Sequence, residues 1–225
     1  MLDERTEENE LTVADLQQIA AHLLIGVADG DSLDELTATM VSFGLAASVT
    51  ALDRVAVEAA LARALAAGAT IPQLQEIVSL VSGLGVHSLM VTATSLQRQA
   101  QATGAVADRP LDDREQALWD RYVGSDPFWA GFEAELPGFL EAMLRLSSDQ
   151  FVAFFDYCAV PWKSGTVRAR CKELIAMACD ATPTHRFLPG FRLHLRNAIA
   201  LGVGRRAILG TLALAAATPG HRGTR

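Results

Sequence analysis

Apolar positions recur every three or four residues along most of this chain, the spacing that gathers them on one face of a helix. Leu16, Ile19, Ala20, Leu23 and Leu24 form the first such stripe, and Thr12 followed by Asp15 reads as its N-cap and acidic first turn. Gly30 and its polar neighbours end that helix, and Ser32 is placed to cap a second through Leu36, Met40 and Phe43. A third runs from about Leu52 to Ala67 and stops at Gly68, a residue suited to a left-handed cap. Pro72 fits the first turn of a fourth, through Leu74, Ile77, Val78 and Val81. Gly83 and Gly85 break it, and His87 opens a fifth covering Leu89 to Leu96.

Residues 101–112 read as a polar connector ending in Arg109-Pro110, followed by a helix around Glu115 to Tyr122. The segment from Ser125 to Met143 holds much of the aromatic content and is expected to wrap the second half of the chain or line a cleft. A helix from Asp149 to Cys158, a loop Pro161-Trp162-Lys163-Ser164-Gly165 and a long helix from Val167 to Ala181 come next. The linker Thr182-Pro183-Thr184 leads to a helix carrying His194 and ending at Gly202, and a last helix spans Arg205 to Ala217. No run of β-branched residues alternates strictly, and alanine and leucine favour helix over strand. The expected fold class is all-α.

One pattern occurs twice. A shift of 134 sets residues 58–87 on residues 192–221, with Gly68 on Gly202 and His87 on His221. Self-similarity of this kind points to a duplicated helical unit. The reading divides the chain into an N-terminal helical repeat at 1–104, a connecting segment at 105–146 and a C-terminal repeat at 147–225. The helix after His87 has no counterpart after His221, so the second repeat is expected to be shortened.

Charge narrows the function classes. The net charge of −7 argues against nucleic acid as a partner. It is uneven, with Asp3, Glu4, Glu7, Glu8 and Glu10 in an expected solvated tail, and seven arginines but no acid in the last 45 residues. No export signal and no uninterrupted apolar run of membrane-spanning length stands out, so a cytoplasmic protein without a membrane partner is expected. Cys158, Cys171 and Cys179 form no C-x-x-C and read as reduced, packed thiols. No metal-ligand spacing and no phosphate-loop, dinucleotide or esterase motif emerges, so neither a metal nor a cofactor is expected.

The helix opening V-R-A-R-C-K-E-L-I-A-M-A and the stretch R-L-H-L-R-N-A-I-A-L-G-V resemble the carboxymuconolactone decarboxylase and alkylhydroperoxidase D-like superfamily. Glu173 falls on that family's recurring glutamate, and His194 lies at its usual eight residues before a glycine, here Gly202. The match covers roughly 60 residues of the C-terminal unit, and the N-terminal unit matches more weakly. It implies the alkylhydroperoxidase D-like fold, built from a duplicated helical unit and assembled as a homo-oligomer. Redox-active members carry C-x-x-C-x-x-x-H, but the two cysteine positions here are Phe187 and Gly190. Disulfide exchange needs both an attacking and a resolving thiol, so peroxidase chemistry of that type is not expected. In the first unit the His194 position is Ala60, and Glu35 matches Glu173 only if four extra residues intervene, so that copy is expected to be structural.

The resemblance implies a cofactor-independent lyase or isomerase acting by proton transfer on a small carboxylated metabolite that is unsaturated or a lactone. Such a reaction leaves a carbanion conjugated with a carbonyl, which needs a proton at carbon. Histidine titrates near neutrality and suits that delivery, and a nearby glutamate orients it or serves as base. His194 and Glu173 are the candidate catalytic residues. Trp162, Lys163, His185 and Arg196 are candidates for holding the substrate. The competing reading is a non-catalytic helical oligomer or small-molecule binding protein, which predicts a filled core around His194.

Overall fold

Side-chain caps fix where the helices begin. Thr12 and Asp15 form a reciprocal capping box at the start of α1 (Val13–Leu23). Asp34, rather than Ser32, caps α2 (Glu35–Ala47), because its carboxylate accepts from both Thr37 N and Thr37 Oγ1 at 2.8 Å. Asp53 caps α3 (Arg54–Ala66), and Thr70 with Gln73 boxes the start of α4 (Ile71–Ser82). The chain after α4 tightens into a single 3-10 turn, Gly83–Val86, before α5 (His87–Ala102), so the expected glycine break leaves the helical run continuous.

The computed structural model describes residues 10–104 and 109–221. Seven further helices follow α5: α6 (Asp113–Tyr122), α7 (Pro127–Glu135), α8 (Phe139–Leu146), α9 (Ser148–Lys163), α10 (Ala169–Asp180), α11 (Leu188–Ala200) and α12 (Arg205–Ala216). No strand occurs among the described residues, and the fold is all-α. The acids at 3, 4, 7 and 8 and the arginines at 222 and 225 lie outside the described residues. Glu10 pairs with Arg186 at 2.7 Å.

Two sequence expectations change in the middle of the chain. The polar connector begins later, because α5 continues to Ala102. The expected loop from Pro161 is instead the last turn of α9, which runs to Lys163. A proline near a helix end removes one backbone hydrogen bond only. Two contacts hold that turn: Tyr157 Oη donates to Ser82 Oγ at 2.6 Å, and the Pro161 carbonyl accepts from Lys172 Nζ at 2.6 Å.

Packing forms two clusters. The first joins α1–α4 to α10–α12, with Val41, Ile77, Ile175, Leu195 and Ile208 fully buried. At its centre α2 and α10 approach so closely that a Cβ on Gly44 would lie 2.7 Å from Ile175 Cγ2. The second gathers α5–α9, with Phe139, Phe151 and Phe154 buried, and Phe187 and Leu193 reach it from the α10–α11 side. Helices α10, α11 and α12 begin at Ala169, Leu188 and Arg205, each 134 residues after the starts of α2, α3 and α4 at Glu35, Arg54 and Ile71. At that constant offset Thr39, not Glu35, falls on Glu173. Gly68 and Gly202 both adopt positive φ, +96° and +78°, and close the same turn after α3 and α11. The run Ile71–Ala102 is long and apolar enough to cross a membrane by length and composition alone, and in this fold it packs against α2, α8, α9 and α10.

Candidate active site

The seam between the two clusters holds a cavity of about 500 Å³. Its position follows from sequence spacing. Glu173, Ala176 and Asp180 lie three and four residues apart on α10, so one face of that helix presents all three to the cavity. Leu193 and His194 on α11 line it, as do Leu80 on α4, His87 and Met90 on α5, and aromatic side chains from α7 and α9. Those aromatics are Phe128, Trp129, Phe132, Phe154, Phe155, Tyr157 and Trp162. The aromatic segment Ser125–Met143 therefore supplies part of the cavity wall.

Glu173 is buried, yet both its oxygens are engaged. Oε2 accepts from His194 Nδ1 at 2.7 Å, and Oε1 accepts from Asn197 Nδ2 at 3.3 Å. Asn197 and His194 sit one helical turn apart on α11, so both reach α10 from the same face. Burial disfavours the His194 imidazolium, but Glu173, and then Asp180, outweigh burial and raise its pKa above the ordinary 6.5. With Nδ1 committed to Glu173, Nε2 is the ring atom left for a ligand.

A second group lies beside this pair. His87 Nδ1 and His185 Nε2 are 2.8 Å apart, and Asp180 Oδ1 lies 3.7 Å from the first and 3.6 Å from the second. Burial pushes the Asp180 carboxyl up to about 7, and the nearby His194 charge opposes this. Burial lowers His87 to about 3, so that imidazole stays neutral at working pH. Asp180 Oδ2 is buried without a hydrogen-bond partner. These three side chains are a possible set of metal ligands that the motif search missed, because folding joins residues 87 and 180–185. The two rings are 12° from parallel with centres 5.0 Å apart, nearly on the line through the facing nitrogens. They therefore share an end-to-end hydrogen bond, and an ion between them would have to break it and turn both rings.

Of the residues singled out from the sequence, His194, Glu173 and Trp162 meet at the cavity. His185 stands behind its wall, bonded to His87. Lys163 ends α9 at an exposed position outside the lining. Arg196 also lies outside it, where it and Arg192 pair with Glu135. Sequence reading overlooked Asp180 and took His87 as a structural marker of the repeat. Asp180 occupies an ordinary helix end, and His87 is brought to it only by the fold.

The fold is similar to that of a solved structure. A crystal structure of a candidate gamma-carboxymuconolactone decarboxylase subunit from Burkholderia xenovorans LB400 shares 31% sequence identity with the chain. The match has a TM-score of 0.69 and covers 81% of this chain and 71% of that one. The chain belongs to the carboxymuconolactone decarboxylase and alkylhydroperoxidase D-like superfamily. No protein-family model and no curated protein matches it.

The two positions that the resemblance assigns to redox cysteines, Phe187 and Gly190, carry no thiol. Gly190, at the second cysteine position, has no room for a side chain, because a Cβ there would lie 2.2 Å from Asp180 Oδ2 and 2.9 Å from Phe187 Cδ1. The Asp180 carboxyl fills the space into which that cysteine's side chain would extend. The thiols present elsewhere are unsuited to the same work, since burial raises Cys158 to about 11, Cys171 to about 12 and Cys179 further still. Gly190→Ala is expected to destabilise the protein by about 1–3 kcal/mol through overpacking, read as a lowered urea midpoint. The double variant with Asp180→Ala should recover much of that loss. An undiminished midpoint in Gly190→Ala would show that the carboxyl moves aside freely.

Proposed function

We propose that this protein is a cofactor-independent acid–base enzyme of the carboxymuconolactone decarboxylase-like type, acting on a small unsaturated or cyclic metabolite. The observation that carries the reading is the 2.7 Å contact between His194 and Glu173 in the wall of a ligand-sized cavity. The cavity argues against the filled core that a purely structural role would have.

In this reading the protonated His194 donates from Nε2 to carbon or oxygen of an enolate-type intermediate. Glu173 remains a carboxylate, holds the ring through Nδ1 and stabilises the imidazolium. In the reverse sense, neutral His194 removes the proton from a carbon next to a carbonyl, and the C–H electron pair passes into the enolate. A decarboxylation would follow the same logic, with the C–C bond electrons entering the enolate, carbon dioxide leaving and His194 supplying the proton to carbon. Solvent then returns the proton to His194.

The test is deuterium uptake from heavy water into a panel of cyclic ketones, unsaturated acids and lactones, followed by proton NMR. Enzyme-dependent uptake into at least one compound, lost in His194→Ala, is the expected result. Uptake equal in wild type and variant would remove His194 from the chemistry.

A further inference from the structure

We infer that the cavity takes a neutral, ring-bearing compound with one carbonyl or hydroxyl group, rather than the carboxylated metabolite that the family resemblance implies. The inference rests on the acid–base reading of His194 and Glu173 for its polar end and on the cavity wall for the rest, and within that reading it selects proton transfer at carbon over decarboxylation, which would need a carboxylate substrate.

Among the described residues, no lysine or arginine lines the cavity. Of the nearby cations, Lys163 is exposed outside the lining, and four others are committed elsewhere. Lys172 is buried behind the wall, paired with Glu76 and bonded to the Pro161 carbonyl, with the Trp162 ring 5.0 Å from its nitrogen. Arg192 and Arg196 pair with Glu135, and Arg186 pairs with Glu10.

The lining itself carries three carboxyl groups, Asp126, Glu173 and Asp180, against two imidazoles, His87 and His194. The His194 charge is already matched by Glu173, and His87 Nδ1 is taken up by His185. An incoming carboxylate would therefore lose its water and meet no free positive charge in the lining. Burying an unpaired charge is among the costliest events a site can impose.

The rest of the wall suits a ring. Trp129 meets Phe155 at 4.8 Å and 69°, and Phe128 meets Trp129 at 4.8 Å and 84°. Such edge-to-face sets accept a further ring by the same quadrupole geometry. His194, whose Nδ1 is held by Glu173, lines the same cavity and leaves Nε2 to meet one carbonyl or hydroxyl oxygen.

The experiment is calorimetric titration of the full chain with 1-tetralone and with 1-naphthoate, two bicyclic probes that differ in charge. Leu80→Trp narrows the cavity from a half-buried lining position, and circular dichroism checks its helix content. The expected result is at least tenfold tighter binding of the tetralone, lost in Leu80→Trp. Equal or tighter binding of the naphthoate overturns the inference, as does failure of the tetralone to bind. Because this reads binding and not turnover, tetralone binding without His194-dependent deuterium uptake would sink the catalytic reading alone.

Discussion

His194→Ala is expected to lower turnover about 10²–10⁴-fold, the range supplied by a positioned general acid–base group. The fold should survive, since the histidine side chain keeps 20% exposure and its helix is held by Phe191, Leu195 and Ala198. Glu173 then keeps only its Asn197 contact inside the cavity wall. Glu173→Gln separates positioning from proton transfer. It preserves shape but removes the larger of the two charges that raise His194, leaving burial, the largest influence, opposed by Asp180 alone, so the imidazole pKa falls. The donor form is then lost at lower pH, and the variant's rate should fall more at pH 8 than at pH 6. The double variant should be little worse than His194→Ala alone, because the two side chains act as one unit. Additive losses would mean that Glu173 has a separate role.

The largest stability effect is expected away from the cavity, at Glu76 and Lys172. Both side chains are 3% exposed and form an ion pair. The second Glu76 oxygen accepts from Ser164 Oγ and Thr166 Oγ1, and from the backbone amides of Thr166 and Val167 at 3.0 and 3.3 Å. These bonds fix the turn from which α10 starts, and so the register of Glu173 and Asp180 on it. Burial raises the Glu76 pKa, but Lys172, Ser164 and Thr166 outweigh it and hold the carboxyl down to about 2. Removing one partner leaves a buried charge alone, so Glu76→Ala or Lys172→Ala should cost about 3–5 kcal/mol. In a protein of this size each kcal/mol is worth about 2–4 °C in Tm. Glu76→Gln with Lys172→Met, which removes both charges, should recover most of the loss. The sign of the pH effect follows from the lowered carboxyl. Its stabilisation is complete above the unfolded value of 4.5 and is lost as pH falls toward 2. Urea midpoints at pH 7 and pH 3 should therefore converge between wild type and Glu76→Gln. A constant gap across that range would contradict the assignment.

The helices and half of the candidate site were legible in the sequence, for local reasons. Caps, glycine stops and apolar spacing are short-range signals, and they located α1, α3, α4 and α11 closely. Glu173 and His194 were legible because the family motif lies within about twenty residues. Signals fail where an element is held by a distant partner. Pro161 reads as a helix end, yet Lys172 and Ser82 hold its turn in α9. Arg196 reads as an anion anchor beside His194, but residues two apart on a helix face different ways, and Glu135 takes it. His87 and Asp180 carried no local mark at all, since their meaning arises where α5 packs against the α10–α11 turn. The constant 134-residue offset of three helix starts is what a duplicated unit would leave, and it also explains why matching Glu35 to Glu173 needed a gap.

The most direct measurement is an NMR titration of the His194 imidazole with ¹⁵N-labelled histidine, in wild type and in Glu173→Gln. A pKa above 6.5 in the wild type that drops in the variant is the result the account predicts. A wild-type His194 that titrates below 6.5, or is indifferent to Glu173, would contradict the claim that this pair is a charged acid–base unit.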